Sequence, residues 1–357
     1  MINRALISLL QKNMKIIEKK FNGGGRFRGM KYINLGASGL KVSEVSLGTM
    51  TFGREANEEE SVKILNYYLK NGGNFIDTAN VYAEGRSEEI LGRALKGIRD
   101  EIVLATKAFF PTSEGPNNRG ASRKNILKAV EDSMKRLQTN YIDLYQIHCW
   151  DDFTPIEETM SALDYLVKKG YVRYIGISNY SGWQIEKALR TSEVYGYEKI
   201  ISVQMQYSLV VRDIEMEVVP VCQSEGLSIM AWGPLGGGFL SGKYKAGEKP
   251  KEGRIAKASN DWEEAWNKRA TEKNFKILGK LEEISKNRNK TVPQVALNWI
   301  ISQNIIPILG ARTLEQIKDN MGAAGWYLTQ QELNELNEVS KLEEKYPYRF
   351  IRSANER

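Results

Sequence analysis

Asp77 and Tyr82 stand five positions apart at the end of the apolar run Phe75-Ile76, in a chain of 357 residues. A phenol ordinarily holds its proton up to a pKa of about 10, so it gives that proton near neutrality only beside a cation. A cation closed off from water needs a carboxylate in turn. The chain offers matching groups. Lys107 ends the run Ile102-Val103-Leu104-Ala105-Thr106, and His148 ends Ile142-Asp143-Leu144-Tyr145-Gln146-Ile147. His148 is the one histidine of the chain, so any imidazole chemistry falls to it. Phenol, ammonium, carboxylate and imidazole are the side chains of proton transfer.

Something must bring these distant groups together, and the hydrophobic pattern says what. Apolar runs at 45–48, 74–79, 102–107, 142–148, 172–178, 201–206, 227–232 and 305–310 alternate with amphipathic stretches such as 58–69, 87–95, 122–137, 156–169 and 215–225. Gly72-Gly73 and Gly170 fall just past helix ends, where glycine is favoured. Eight strands, each followed by a helix, make a parallel sheet, and eight such units close a (β/α)8 TIM barrel. Asp77, Lys107, His148, Ser178-Asn179 and Gln204 then all sit at the carboxyl ends of strands, the face on which barrel enzymes build their sites. Residues 31–44 read as an N-terminal β-hairpin around Gly36-Ala37-Ser38-Gly39. The gap from Trp232 to Gly310 reads as an enlarged loop after strand 7, with helices at 271–287 and 292–303. Further C-terminal helices are expected at 313–321 and 330–344, and the last dozen residues carry no pattern.

The charge is +7, yet residues 1–30 hold seven Lys/Arg against Glu18 alone, so the body of the chain is close to neutral. A nucleic-acid partner is therefore not expected. The segment 1–29 reads as a basic extension, disordered or preceding a true start at Met30, although Leu6, Leu10, Met14, Ile17 and Phe21 have roughly the spacing of a surface-binding helix. A single domain over 30–345 and a tail at 346–357 follow. No apolar run is long enough to span a bilayer, and no stable membrane insertion is expected. Cys149 and Cys222 are too few for a disulfide framework, which fits a reducing cytoplasm. With one histidine and two cysteines no metal site is expected.

With these residues placed, the sequence resembles the aldo-keto reductase family from about Met30 to Gly325. The resemblance is carried by Gly48-Thr49-Met50-Thr51-Phe52-Gly53, the block from Asp77 to Tyr82, Lys107, Gln146-Ile147-His148, Gly176-Ile177-Ser178-Asn179 and Gln204. It continues in Ala231-Trp232-Gly233-Pro234-Leu235, Gly242-Lys243-Tyr244 and Pro307-Ile308-Leu309-Gly310-Ala311-Arg312. The long loop with Ser241-Gly242-Lys243-Tyr244 is more similar to the branch of aryl-alcohol dehydrogenases and potassium-channel β subunits than to the aldose-reductase branch.

The resemblance implies a reversible reductase of aldehydes and ketones using NADPH. In that reading Tyr82 gives the proton, Lys107 and Asp77 tune it, and His148 orients the substrate oxygen. Ser178, Asn179 and Gln204 would hold the nicotinamide carboxamide, with Trp232 stacked on the ring and Gly48, Thr49 and Met50 nearby. Backbone at Gly233, Pro234, Leu235 and Gly236, with Lys243, would take the pyrophosphate. Gly236-Gly237-Gly238 lacks the spacing of a dinucleotide fingerprint and reads as a loop covering phosphate. Gly310 opens a turn into a helix whose amides favour an anion. Arg312 there suits a 2′-phosphate, with Gln316 and Asn320 at adenine and Arg254 as a further basic group. Phe52, Phe109 and Trp150 suggest an aromatic pocket beside Tyr82 and His148, although Cys149-Trp150 replaces the Arg-Pro common in the branch. The partner is a small carbonyl compound, and the protein is a monomer or homo-oligomer. The alternative is a redox-sensing accessory subunit, like the channel β subunits, with little turnover.

Overall fold

The computed structural model describes residues 29–248, 250, 254–259 and 263–356. The basic segment 1–28 and the side chain of Arg254 lie outside the described residues. The chain starts with an antiparallel hairpin, β1 (Tyr32–Asn34) and β2 (Lys41–Ser43), in which Ile33 faces Val42. Eight parallel strands follow: β3 (Ser46–Gly48), β4 (Phe75–Asp77), β5 (Val103–Ala108), β6 (Ile142–Ile147), β7 (Val172–Ser178), β8 (Ile200–Gln206), β9 (Ser228–Trp232) and β10 (Ile306–Gly310). They pair in order, and β10 returns to β3 to close the barrel. The expected (β/α)8 barrel with its hairpin is the observed fold.

The helices on the outside run α1 (Glu58–Lys70), α2 (Arg86–Ala94), α3 (Arg123–Arg136), α4 (Ile156–Lys168), α5 (Gly182–Tyr195) and α6 (Val218–Glu225). The enlarged loop after β9 contains the short helices α7 (Arg254–Lys257) and α8 (Trp266–Arg269), and α9 (Glu272–Arg288) and α10 (Val292–Ser302) follow it. Then come α11 (Leu314–Met321), α12 (Gln330–Ser340) and α13 (Tyr348–Asn355). Two expectations need correction. The stretch 215–225 is not one helix, because Pro220 fits only a first turn, so α6 starts at Val218 after a 3-10 turn at Asp213–Glu215. The last residues, read as patternless, form α13, an eight-residue amphipathic helix that follows Pro347 and buries none of its side chains. Among the described residues no helix is long and apolar enough to cross a membrane.

The period of two along each strand decides what meets inside. Phe75, Val103, Ala105, Leu144, Met230, Ile306 and Ile308 point inward and form one buried cluster with Leu35 and Val42 of the hairpin, which plugs the amino-terminal end. Continuing those same faces toward the carboxyl ends brings Asp77, Lys107, Gln146, His148 and Trp232 to the mouth. The intervening residues Leu47, Ile76 and Leu104 pack outward against the helices. An apolar floor and a polar rim are thus one pattern read at two heights.

The floor is pinned by Tyr68 of α1, which is wholly buried. Its hydroxyl oxygen lies 2.9 Å from Val45 O and 2.8 Å from Phe75 O, accepts from Phe75 N at 3.1 Å and meets Ser43 Oγ at 2.9 Å. One phenol therefore joins the hairpin, β4 and α1. Tyr68→Phe removes the acceptor for a buried backbone N–H and is expected to cost about 1–3 kcal/mol of unfolding free energy. Denaturant titration would measure this, and an unchanged midpoint would refute the pinning role.

Candidate active site

Lys107 is completely buried, and its ammonium donates to Asp77 Oδ2 at 2.7 Å, Thr78 O at 2.7 Å and Tyr82 Oη at 3.3 Å. An ammonium has three donors, and all three are used. Burial, the largest influence, pushes the lysine pKa down, but Asp77 and then Tyr82 more than offset it, so the charge is held above the ordinary lysine value. The second oxygen of Asp77 accepts from Gln204 Nε2 at 2.9 Å and Gln146 Nε2 at 3.3 Å. The carboxylate is thereby fixed from β8 and β6 while it faces β5. Thr49 clamps the same residue from β3 through its backbone N–H and hydroxyl, at 3.0 and 3.1 Å from Asp77 O.

Tyr82 reaches this ammonium from a 3-10 turn, Tyr82–Gly85, that no strand supports. Ala83 and Glu84 adopt left-handed φ values of 49° and 59°, and Gly85 follows at 89°. Such conformations cost of order 1–3 kcal/mol each for residues with a Cβ and persist only where the surroundings enforce them. The enforcement comes from below. A Cβ on Gly85 would lie 2.8 Å from Arg136 Cδ, so the arginine stem is the floor of the turn. Arg136 Nε is held at 2.7 Å by the fully buried Glu88. The other oxygen of Glu88 accepts from the Thr106 hydroxyl at 2.6 Å, one residue before Lys107. A single carboxylate thus links the turn carrying the phenol to the strand carrying the cation.

His148 stands opposite, with its ring edge-on to Tyr82 at 5.9 Å and to Phe110 at 4.9 Å between centroids. Its Nδ1 is buried without a hydrogen-bond partner. Burial first, and the Lys107 charge second, push the imidazole pKa well below its ordinary 6.5. The ring is neutral at pH 7. Asn179, at φ 56°, accepts from Trp232 Nε1 at 3.0 Å and donates to His148 O at 2.9 Å and Ser178 Oγ at 3.1 Å. It ties together the ends of β6, β7 and β9.

Asp77, Tyr82, Lys107, His148, Ser178, Asn179, Gln204 and Trp232 therefore share one end of the barrel. Gly310, Arg312, Gln316 and Asn320 gather at the turn after β10, where Gln316 Oε1 accepts from Arg312 N at 2.8 Å and Asn320 Nδ2 donates to Gly310 O at 3.0 Å. Lys243 is exposed, with its amine 5.0 Å from the Tyr244 ring centre. Among the expected wall residues Phe109 and Trp150 are half-buried, but Phe52 is not at the mouth. The chain folds back through Phe52 N to Thr49 O at 3.0 Å and packs that ring, fully buried, in the layer between strands and helices. Phe110 takes the place against His148. Sequence reasoning also missed Gln146, which shares the inward parity of His148, and Glu88 with Arg136, whose role depends on a contact across the helices.

An inward-facing, buried Lys–Asp pair touching a loop phenol at the mouth of a closed parallel barrel is the architecture of a barrel oxidoreductase. The chain belongs to the Aldo/keto reductase family, whose model matches residues 44–341. It is 39% identical over 324 residues to "Uncharacterized oxidoreductase YrpG" of Bacillus subtilis, covering 87% of this chain and 96% of that one. It is 36% identical to a "Probable voltage-gated potassium channel subunit beta" of Arabidopsis thaliana, with 82% and 91% covered. Norsolorinic acid reductase stcV of Emericella nidulans is 33% identical, over 88% of this chain and 82% of its own.

Two measurements test the site's geometry. Gly85→Ala forces a Cβ at positive φ into the Arg136 stem and is expected to destabilise by about 1–3 kcal/mol. Wild-type stability for that variant would show that the turn is not seated on the arginine. For His148 the folded pKa is depressed, so between that value and about 6.5 the unfolded chain binds more protons. Its contribution to stability is full above pH 6.5 and is lost as pH falls below it. With one imidazole in the chain its NMR signal is unambiguous, and it should not titrate between pH 8 and 6. A midpoint near 6.5 would contradict the burial argument.

Proposed function

We propose that the protein is an NADPH-dependent carbonyl reductase, interconverting aldehydes or ketones with alcohols. The observation that carries this is the Tyr82 hydroxyl 3.3 Å from a buried ammonium whose counter-charge, Asp77, lies at 2.7 Å. An adjacent fixed cation favours phenolate over phenol, which lets a tyrosine act as a general acid near neutrality. Tyr82 gives its proton to the carbonyl oxygen, and Lys107 stabilises the phenolate left behind. With Nδ1 buried and unpartnered, the proton of neutral His148 sits on Nε2 and orients that oxygen. The aromatic rings of Phe110, Phe109 and Trp150 favour an aryl or medium-sized apolar substrate.

The residues present fit a pyridine nucleotide. Gly236, Gly237 and Gly238 have consecutive φ values of 58°, 70° and 97°, and nothing lies within 4 Å of a Cβ placed on Gly238, so backbone can approach a phosphate closely. When bound, the reduced nicotinamide supplies the hydride for the carbonyl carbon. Trp232, its indole fixed by Asn179, would flank the ring, and Ser178, Asn179 and Gln204 would hold the carboxamide. Gly233, Pro234, Leu235 and Lys243 would line the diphosphate. Arg312 stands just before α11, which Thr313 caps at Gln316 N. A basic group at a helix amino terminus suits a 2′-phosphate and favours NADPH over NADH. Gln316 and Asn320 would flank adenine. Gly48, Thr49 and Met50 lie at the end of β3, the strand paired with β10, and the two free thiols suit a reducing cytoplasm.

The relatives printed as potassium channel β subunits give the second reading, a cofactor-bound sensor with little turnover. NADPH oxidation with 4-nitrobenzaldehyde separates the two. Tyr82→Phe should lower kcat by about 10²–10⁴-fold, and NADH should serve less well than NADPH. Slow turnover indifferent to that substitution would favour the sensor. In the reductive direction kcat should fall at high pH as Tyr82 loses its proton.

A further inference from the structure

A groove of about 750 Å³ lies on the β8 side of Trp232. Asn179 and Trp232 form one end, and Met205, Val210 and Ile214 give it apolar walls. Tyr348 of α13 bounds it beyond, with its hydroxyl bonded to Glu217. Arg269, at the end of α8, lines this groove although it is only 6% exposed. Its Nε and Nη2 are buried and have no hydrogen-bond partner. Gln206, two residues above Gln204 on the inward face of β8, also lines the groove, and its Nε2 is likewise buried and unpartnered. Both flank one bend, since a Cβ on Gly233 would lie 3.8 Å from Gln206 Cγ and one on Gly236 4.0 Å from Arg269 Nε.

These three atoms are donors, and buried donors without acceptors are costly to keep, while the buried Glu264 carboxylate stands at the same bend, 2.7 Å from a Cβ on Gly233. Nε and Nη2 form one edge of the guanidinium. This protein presents that same edge to carboxylates elsewhere, from Arg93 to Glu58, Arg212 to Glu215 and Arg288 to Glu332. The surrounding charge selects further. Glu264, Glu263 and Asp213 act on Arg269 through space, so a doubly charged phosphate would meet three carboxylates around one cation. A planar monoanion fits the fork and meets less repulsion from those carboxylates than a phosphate would. The basic Arg312 and Asn320 follow β10, on the other flank of β9, so the nucleotide's adenosine end is routed away from this groove.

We infer that Arg269, assisted by Gln206, binds a carboxylate carried by the substrate, so that the protein prefers oxo acids with an apolar or aromatic body. The inference rests on the reductase reading and deepens it. The substrates to compare are 4-formylbenzoate and the longer 4-formylcinnamate, each against its methyl ester, with NADPH. For at least one pair the wild type should favour the acid by tenfold or more in kcat/KM, mainly through KM. Arg269→Met and Gln206→Leu should each narrow that ratio, the first by at least tenfold. Far-ultraviolet circular dichroism of Arg269→Met should match the wild type, because Nε and Nη2 bond to no group of the protein. An acid-to-ester ratio equal in wild type and Arg269→Met overturns the inference. So does weakened NADPH binding in Arg269→Met with the ratio retained, since the guanidinium then serves a nucleotide phosphate. If no aldehyde is turned over, the reductase reading fails by itself. Calorimetry with 4-(hydroxymethyl)benzoate and its methyl ester on the NADP+ complex then decides the site. Acid-selective binding lost in Arg269→Met supports it, and equal binding of acid and ester refutes it.

Discussion

A charged lysine with no exposure to water is the constraint from which the rest of the barrel mouth follows. Removing an ammonium from water is unfavourable by several kcal/mol, and a facing carboxylate offsets that only with good geometry. Here the geometry comes from four directions: Asp77 from β4, Gln146 and Gln204 from β6 and β8, and the Thr49 clamp from β3. None of these strands could shift by a residue without turning its polar end outward and an apolar side chain into the ion pair. Barrel register and charge pairing are one condition.

Tyr82 enters this frame from outside it. The strands are rigid because their backbone groups bond to one another, whereas the phenol is carried by three successive left-handed residues. What fixes it is a second ion pair, the buried Glu88 with the partly exposed Arg136, which lies in the helical layer and joins the frame through Thr106. The two pairs divide the work: one sets the charge, the other sets the reach of the hydroxyl.

Most of the barrel was legible because period-two runs and helix breakers are local signals. The meeting of Asp77, Lys107, His148 and Gln204 was legible for the same reason, since each closes an inward-facing parity at a strand end. Contacts made between helices or within loops were not. Phe52 and Phe110 are both loop phenylalanines, and only the fold-back through Thr49 decides that the first is core and the second is rim. Nothing local distinguishes Arg269 from the solvated charges around it, because its burial is created by the return of a long loop over β8. Helix α13 is amphipathic but only eight residues long, too short a stretch for its spacing to stand out.

Asn179 sits in a backbone conformation that most side chains avoid, and its amide grips the indole of Trp232 with one end and the carbonyl of His148 with the other. The indole and the imidazole backbone are thus mechanically in series. One side chain sets the spacing between the ends of β6 and β9, so Asn179→Ala would release the indole and the histidine carbonyl together.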